Sequence, residues 1–273
     1  MGSNSSYWTI FAQKFHIIGP PFAPSPEDGC AMESAVNAWA GARTSDDPLR
    51  VLLLGMTPRI ARMVFPAPTS MLAIDRCDAM VRHVWPHDVT ARRQAIVADW
   101  HCPPVGNASQ DVVIGDGALN CVRYQDGMRR LVSSVRRVLR SDGTFVVRCF
   151  VQPPSPEDPE DVMKQIADGP SFHHFKMRLL MALQKNSREG IAVNDVYRFW
   201  TSQNVDVGEL AARTGWDPQE IQTMELHKGP NIIHTFPTLE EIREVLAPCF
   251  RTISVRIPQY CLGERCPLVT AKP

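Results

Sequence analysis

The sequence lacks most of the features that would assign it to a class at a glance. No apolar run approaches the roughly 20 residues that a membrane-crossing helix needs, so no membrane partner is expected. Neither sign of charge is in excess, with 29 Lys and Arg against 29 Asp and Glu. A protein that grips nucleic acid by its phosphates gains affinity from surplus positive charge, so nucleic acid is not expected as a partner either. The eight cysteines contain no C-x-x-C pair. Cys261 and Cys266 have no second Cys/His pair beside them, and no metal site is expected. The start carries no secretory apolar region, which leaves the thiols expected free in a reducing, cytoplasmic setting. Internal repeats and low-complexity blocks are missing, as is the G-x-G-x-x-G turn that cradles a pyrophosphate.

What is there is a regular alternation. Val51-Leu-Leu-Leu54 ends at Gly55, Met71-Leu-Ala-Ile74 at Asp75, and Ala95-Ile-Val-Ala98 at Asp99. Asp111-Val-Val-Ile114 ends at Gly115-Asp116-Gly117, and 144–150 is a fifth run after a Ser141-Asp142-Gly143 turn. Short apolar runs of this kind suit strands buried on both faces. Between them, 58–64, 78–84 and 125–139 have helical spacing, the last through Met128, Leu131, Val135 and Leu139. Strands separated by helices predict a parallel sheet covered on both sides. Met1 to Ser6 reads as a flexible start, with only the loose pattern of a myristoylation signal. A short aromatic helix (Tyr7, Trp8, Phe11, Phe15) follows, then a proline-rich arm and a helix over 27–42 opened by Pro26. From about 151 to 235 the alternation stops. Helices are expected at 160–168, 171–186, 194–202 and 207–225. A helix over 238–246 and strands at 251–257 and 268–271 close the chain.

Ligands of open parallel sheets bind at the carboxyl ends of the strands. Three of the first four strand ends carry a carboxylate: Asp75, Asp99 and Asp116. Asp75 follows Gly55 by 20 residues. An acid there can accept hydrogen bonds from two ribose hydroxyls, and Gly55 lets a ligand approach the backbone. Asp99 can accept from an adenine amino group, with Trp100 beside the ring. Asp116 can meet a ligand's amino group or the substrate. Each of these acids can also be a plain turn or cap residue.

These runs, with Ala73-Ile-Asp75-Arg-Cys-Asp-Ala-Met80, Val97-Ala-Asp99-Trp100 and Leu139-Arg-Ser-Asp-Gly143, resemble the class I S-adenosylmethionine-dependent methyltransferases. Val51-Leu-Leu-Leu-Gly55-Met-Thr-Pro58 resembles a branch in which an LGxTP turn replaces the glycine-rich loop. The resemblance implies a Rossmann-like, seven-stranded, mostly parallel sheet with an antiparallel C-terminal strand and a helical insertion after the fifth strand. It implies that Asp75 binds the ribose, that Asp99 binds the adenine amino group, that Gly55 lies beside the methionine part, and that Met80 packs near the adenine. Met56, Thr57, Arg76, Ala98, Trp100, Asp116 and Gly117 complete the expected cofactor contacts. Two departures stand out. Leu53 occupies the place of the usual acid, and Arg59 stands where the branch often has Glu. The amino-group contact then falls to Asp116 or a backbone carbonyl.

One methyltransferase domain over 1–273 is the expectation: N-terminal helices and arm (1–47), cofactor-binding core (48–152), helical insertion (153–235), C-terminal helix and hairpin (236–273). The cofactor is S-adenosylmethionine and the acceptor a small molecule shaped by the insertion. No catalytic residue is named, because positioning alone can suffice for methyl transfer. The missing Asn/Asp-Pro-Pro-aromatic motif, replaced by Gly115-Asp116-Gly117-Ala118, argues against DNA-base methylation. The rivals are an NAD-dependent oxidoreductase and a degenerate relative serving as an interaction protein. The 208–221 segment also resembles a helix-turn-helix with Gly215 at its turn, but 216–226 holds no Lys or Arg to read DNA. Among the histidines, His173, His174 and His234 are the candidates for touching substrate. The N-terminal aromatics serve either packing or a lid.

Overall fold

The computed structural model describes residues 2–43, 47–65 and 67–273. Its strands in chain order are β1 (Leu49–Leu54), β2 (Thr69–Asp75), β3 (Arg93–Val97), β4 (Gln110–Asp116), β5 (Leu139–Arg148), β6 (Ile191–Ala192), β7 (Ile233–His234), β8 (Thr252–Arg256) and β9 (Leu268–Lys272). The helices are α1 (Gly2–Gln13), α2 (Pro26–Ala40), α3 (Pro58–Ala61), α4 (Asp78–His83), α5 (Asp126–Val138), α6 (Pro159–Lys164), α7 (Phe172–Leu183), α8 (Val193–Ser202), α9 (Val207–Thr214), α10 (Pro218–Gln222) and α11 (Leu239–Leu246).

Seven strands form one sheet in the order β3-β2-β1-β4-β5-β9-β8. The pairings among β1 to β5 are parallel, and β9 runs antiparallel to both its neighbours. This is the Rossmann-like sheet expected from the sequence. Its two faces follow from the period of two along a strand. Leu49, Val51 and Leu53 of β1 point to one face, where Met32, Val36 and Trp39 of α2 cover them. Leu52 and Leu54 point to the other, against Leu131 and Val135 of α5 and Ile242 and Val245 of α11. Each such side chain, fully removed from water, contributes about 1.5–3 kcal/mol. The edge strands β3 and β8 are half open to solvent.

Local signals set the helix ends. Ser25 caps α2 by accepting from the Asp28 N–H at 3.1 Å, while Asp28 Oδ2 accepts from the Ser25 N–H at 2.8 Å. Thr238 and Glu241 do the same for α11.

Four expectations change. Gly2 to Ser6, read as a flexible start, are the first residues of α1, and Met1 lies outside the described residues. Ser141 to Gly143 do not separate a helix from a strand; they lie inside β5, where the register with β4 shifts between Gln110 and Val112. That strand also ends at Arg148 rather than at residue 150. The 207–225 segment is broken at Gly215, whose left-handed φ of 74° ends α9. After it come the five-residue α10 and a 3-10 turn, Thr223–His227.

The helices after β5 share a core of their own around Phe172, Phe175, Trp200, Leu210, Trp216 and Ile221. Leu210 and Ile221 thus make the 208–221 hairpin a packing element. Its return to the sheet is tied by the pairing of β6 with β7 and by Asn120. The Asn120 amide donates to the Phe150 and Thr235 carbonyls, each at 2.7 Å, and its oxygen accepts from the Phe150 N–H at 2.9 Å. Among the described residues, no helix is long and apolar enough to cross a membrane.

Candidate functional site

Strand order reverses beside β1: the chain passes outward to β2 and β3, then returns to β4 on the other side. The carboxyl ends therefore diverge there and leave a crevice. A cavity of ≈ 680 Å³ occupies it. That volume falls in the range of small-molecule and cofactor sites. Its floor is Gly55, Met56 and Thr57 after β1, Asp75 and Arg76 after β2, Asp99 and Trp100 after β3, and Asp116 and Gly117 after β4. Met80 reaches it from α4. Ten of the eleven residues expected from the sequence therefore share one cavity. Ala98 is the exception: its N–H donates to the Asp75 carbonyl at 2.9 Å and ties the β2 and β3 ends together behind the lining.

Two glycines keep the floor low. Gly55 has φ 92°, and a Cβ there would meet the Trp100 ring at 3.4 Å. Gly117 has φ 60°, and a Cβ would strike Phe150 at 2.7 Å. Only glycine adopts the first conformation without strain.

The three strand-end acids differ. Asp75 Oδ1 accepts from the Cys77 N–H at 2.8 Å, and no cation pairs with its side chain among the described residues. Burial pushes this carboxyl up to about 6, with backbone N–H groups pulling the other way. Asp99 is half exposed. Burial raises it, but hydrogen bonds from Arg76 and His101 outweigh that and hold it at about 2. Arg76 pairs with Asp99 Oδ2, and the His101 N–H donates to Oδ1 at 2.9 Å. The Trp100 indole N–H donates to the Ile74 carbonyl at 2.8 Å, which fixes the ring against Gly55.

Asp116 belongs to a buried network that the sequence did not announce. Arg148 Nε donates to it at 2.6 Å, and Arg148 Nη1 donates to Asp28 at 2.9 Å. The Tyr260 hydroxyl donates to the other Asp28 oxygen at 2.8 Å. Arg148 is fully buried and its Nη2 has no partner. Two carboxylates facing one guanidinium leave the network one formal negative charge in excess. Burial raises Asp116 while Arg148 opposes it.

Arg59, the departure in the first loop, turns away from the crevice. Its Nε donates to the Pro24 carbonyl at 3.0 Å and its stem packs on Gly29. Its charge is therefore directed at the start of α2 and not at the strand ends.

The opposite wall comes from α1 and from the helices after β5. Tyr7, Trp8 and Phe11 pack edge and face against one another, and together with Phe15 they roof the crevice. Lys176 on α7, His227 in the 3-10 turn and His234 on β7 also line it. Burial pushes Lys176 down to about 7 and His234 down to about 4, and it pushes His227 well down too. Of the expected histidines, only His234 reaches the cavity. His174 is bonded to Ser171 at 2.8 Å. His173 is fully buried with neither ring nitrogen bonded. Glu220 approaches His173 at 3.5 Å, but burial holds that imidazole neutral, down to about 3, so this is no ion pair.

No protein-family model and no curated protein sequence matches the chain. Solved structures do match it in shape. The Rhodobacter sphaeroides protein assigned to the Zn-dependent alcohol dehydrogenases superposes with a TM-score of 0.58 at 12% identity, over 99% of this chain and 97% of the other. The complex of DhpI with SAH gives 0.53 at 14% identity, over 99% and 95%. The CMeT domain of the citrinin polyketide synthase gives 0.51 at 12% identity, over 92% of this chain. The chain spans about half, 54%, of the length of that last protein. At these identities the likeness is one of fold, and that fold is the Rossmann-like one found in S-adenosylmethionine-dependent methyltransferases.

Proposed function

We propose that the chain is an S-adenosylmethionine-dependent methyltransferase acting on a small-molecule acceptor. One observation carries this reading: Asp75, without a cation partner, stands at the end of β2 beside Gly55 and opens into the cavity. A buried carboxylate with spare acceptor capacity asks for hydroxyl donors, and a ribose supplies two. Asp99 retains acceptor sites for an adenine amino group, and Met80 and Trp100 supply apolar surface for the ring. Asp116, in a network with excess negative charge, suits a cationic amino group. Bound there, the cofactor supplies an activated methyl group on a positively charged sulfur. Acids at three strand ends favour a cationic ligand of this kind.

The dehydrogenase reading lacks that support. A pyrophosphate needs backbone N–H groups and glycines at the first turn. Here the first turn has one glycine, followed by Pro58, and leads into a helix of four residues. The protein's own part in the chemistry is to position two ligands and exclude water. The roof of Tyr7, Trp8 and Phe11 over the strand ends serves the second task.

The test follows from Asp75. A ligand whose hydroxyls donate to the carboxylate binds only the ionised form. With the ligand-free carboxyl at about 6, affinity is full above that pH and falls as the group protonates. The dissociation constant of S-adenosylhomocysteine is expected to rise about fivefold between pH 6 and pH 5, and to approach tenfold per pH unit only below that interval. Asp75→Asn should bind weakly with no such slope. A wild-type affinity that is flat over that interval would remove Asp75 from the ribose.

A further inference from the structure

The cavity has a second polar pole, far along the chain from the strand ends, at Lys176. This lysine is 3% exposed and makes no ion pair among the described residues. Its Nζ donates to Thr223 Oγ1 at 2.7 Å and stands 5.1 Å from the Phe22 ring. The Thr223 hydroxyl hydrogen is already committed to the Glu220 carbonyl at 2.6 Å, so its oxygen can only accept. That leaves the other valences of Nζ for the cavity that Lys176 lines.

The titratable groups that face it are His173 from α7 itself, Glu220 from α10 and His227 from the 3-10 turn. Both histidines are held neutral by burial, and Lys176 adds to that effect. Glu220 favours the ammonium but is outweighed by desolvation. His227 Nδ1 is buried without a partner. An amine without a carboxylate and an imidazole nitrogen without a hydrogen bond thus border one cavity. Apolar side chains that line the same cavity include Phe22, Phe150, Leu180, Ile232 and Phe236.

We propose that this pole receives the methyl acceptor, that the acceptor is a ring-sized apolar molecule bearing an acidic hydroxyl of phenol type, and that Lys176 is the catalytic residue that takes its proton. The inference rests on the methyltransferase reading and adds the acceptor class and the base. The step is a proton transfer. The acceptor's O–H bond breaks with its electron pair left on oxygen, the proton joins the lone pair of Nζ, and an ammonium faces an oxyanion. Atoms and charge balance, and the oxyanion is the nucleophile that methylation requires. The proton later leaves Nζ to solvent. The aromatic walls hold the ring, and His227 offers a second hydrogen bond.

Direct chemistry on the unmodified protein tests this. The full chain is treated near pH 7 with salicylaldehyde and cyanoborohydride, and the six lysines are followed by peptide mass spectrometry. A neutral amine open to the cavity forms the imine and is reduced, whereas an ammonium is not. Lys176 is expected to react at least about tenfold faster than Lys14 or Lys185, because a lysine near 7 is far more often neutral than one near 10.4. Saturating 4-nitrophenol should protect it. Modification of Lys176 no faster than of the surface lysines, or no protection, would overturn the proposal. Lys176→Met and Lys176→Arg give the second arm. Both should bind S-adenosylhomocysteine as the wild type does, and Lys176→Met should lose the visible phenolate band of bound 4-nitrophenol. An unchanged band in Lys176→Met would refute the assignment. Failure of the wild type to bind S-adenosylhomocysteine would instead sink the methyltransferase reading, so the two failures are told apart.

Discussion

The strand-end half of the cavity and the helical half handle charge in opposite ways. At the strand ends, carboxylates dominate, and two of the three are already engaged by arginines: Asp99 by Arg76 and Asp116 by Arg148. Across the cavity Lys176 makes no ion pair among the described residues and stands among histidines that burial keeps neutral. A buried carboxylate with open acceptor sites waits for donors, and a buried amine without an acid waits for a proton or an anion. The difference is what one expects of a cavity that holds two ligands with different polarity.

The largest effect is expected at Arg148. Removing a buried partner and leaving Asp28 and Asp116 facing each other should cost about 3–5 kcal/mol. Arg148→Met is therefore expected to lower the urea midpoint strongly, with an unchanged midpoint meaning that the network carries little. Next comes Asp75→Ala. It should weaken S-adenosylhomocysteine by about 1.5–3 kcal/mol, the loss of a charged hydrogen-bond acceptor, while leaving labelling of Lys176 as it is. If labelling changes with affinity, the two halves are not independent. Gly55→Ala places a side chain at φ 92° and against Trp100, with an expected loss of about 1–3 kcal/mol in thermal or urea unfolding. The smallest effect belongs to Arg59→Ala. Because Arg59 faces the Pro24 carbonyl, cofactor affinity should move by less than about 0.5 kcal/mol. A larger drop in titration calorimetry would put Arg59 back at the ligand.

The same division governs what the sequence made legible. Strand ends are marked by local pattern: an apolar run, then a polar residue. The topology of a parallel sheet gathers such ends at one side whatever the intervening helices do. Gly55, Asp75, Asp99 and Asp116 were readable for that reason. Arg148 was not, because it sits inside the fifth apolar run, and only the packing of α2 on the sheet brings Asp28 to it. Lys176 is equally silent. It lies in Phe172–Leu183 among apolar neighbours, and a lysine on a helix is ordinarily a solvated one. The available signal was the run of apolar residues Phe172, Phe175, Met177, Leu179, Leu180 and Met181 around Lys176, which are buried in α7. His227 comes from a segment expected to be helical through 225 and found as a 3-10 turn. Asn120, which staples the return of the chain to the sheet, carries no pattern at all because its partners lie 30 and 115 residues away. The turn expected at Ser141 to Gly143 is found as an irregularity within β5: Leu139 pairs with Gln110 and Thr144 with Val112, and the residues between them have no partner in that register.

The proposal for the strand-end crevice is an adenosyl cofactor and not a dinucleotide. Titration calorimetry of the purified chain with S-adenosylmethionine, S-adenosylhomocysteine and NAD tests it most directly. Saturable binding of the first two is expected, with a dissociation constant on the order of micromolar (about −8 kcal/mol), and no heat from NAD. Selective binding of NAD would contradict it, and silence from all three would mean that the crevice has kept the fold without the cofactor.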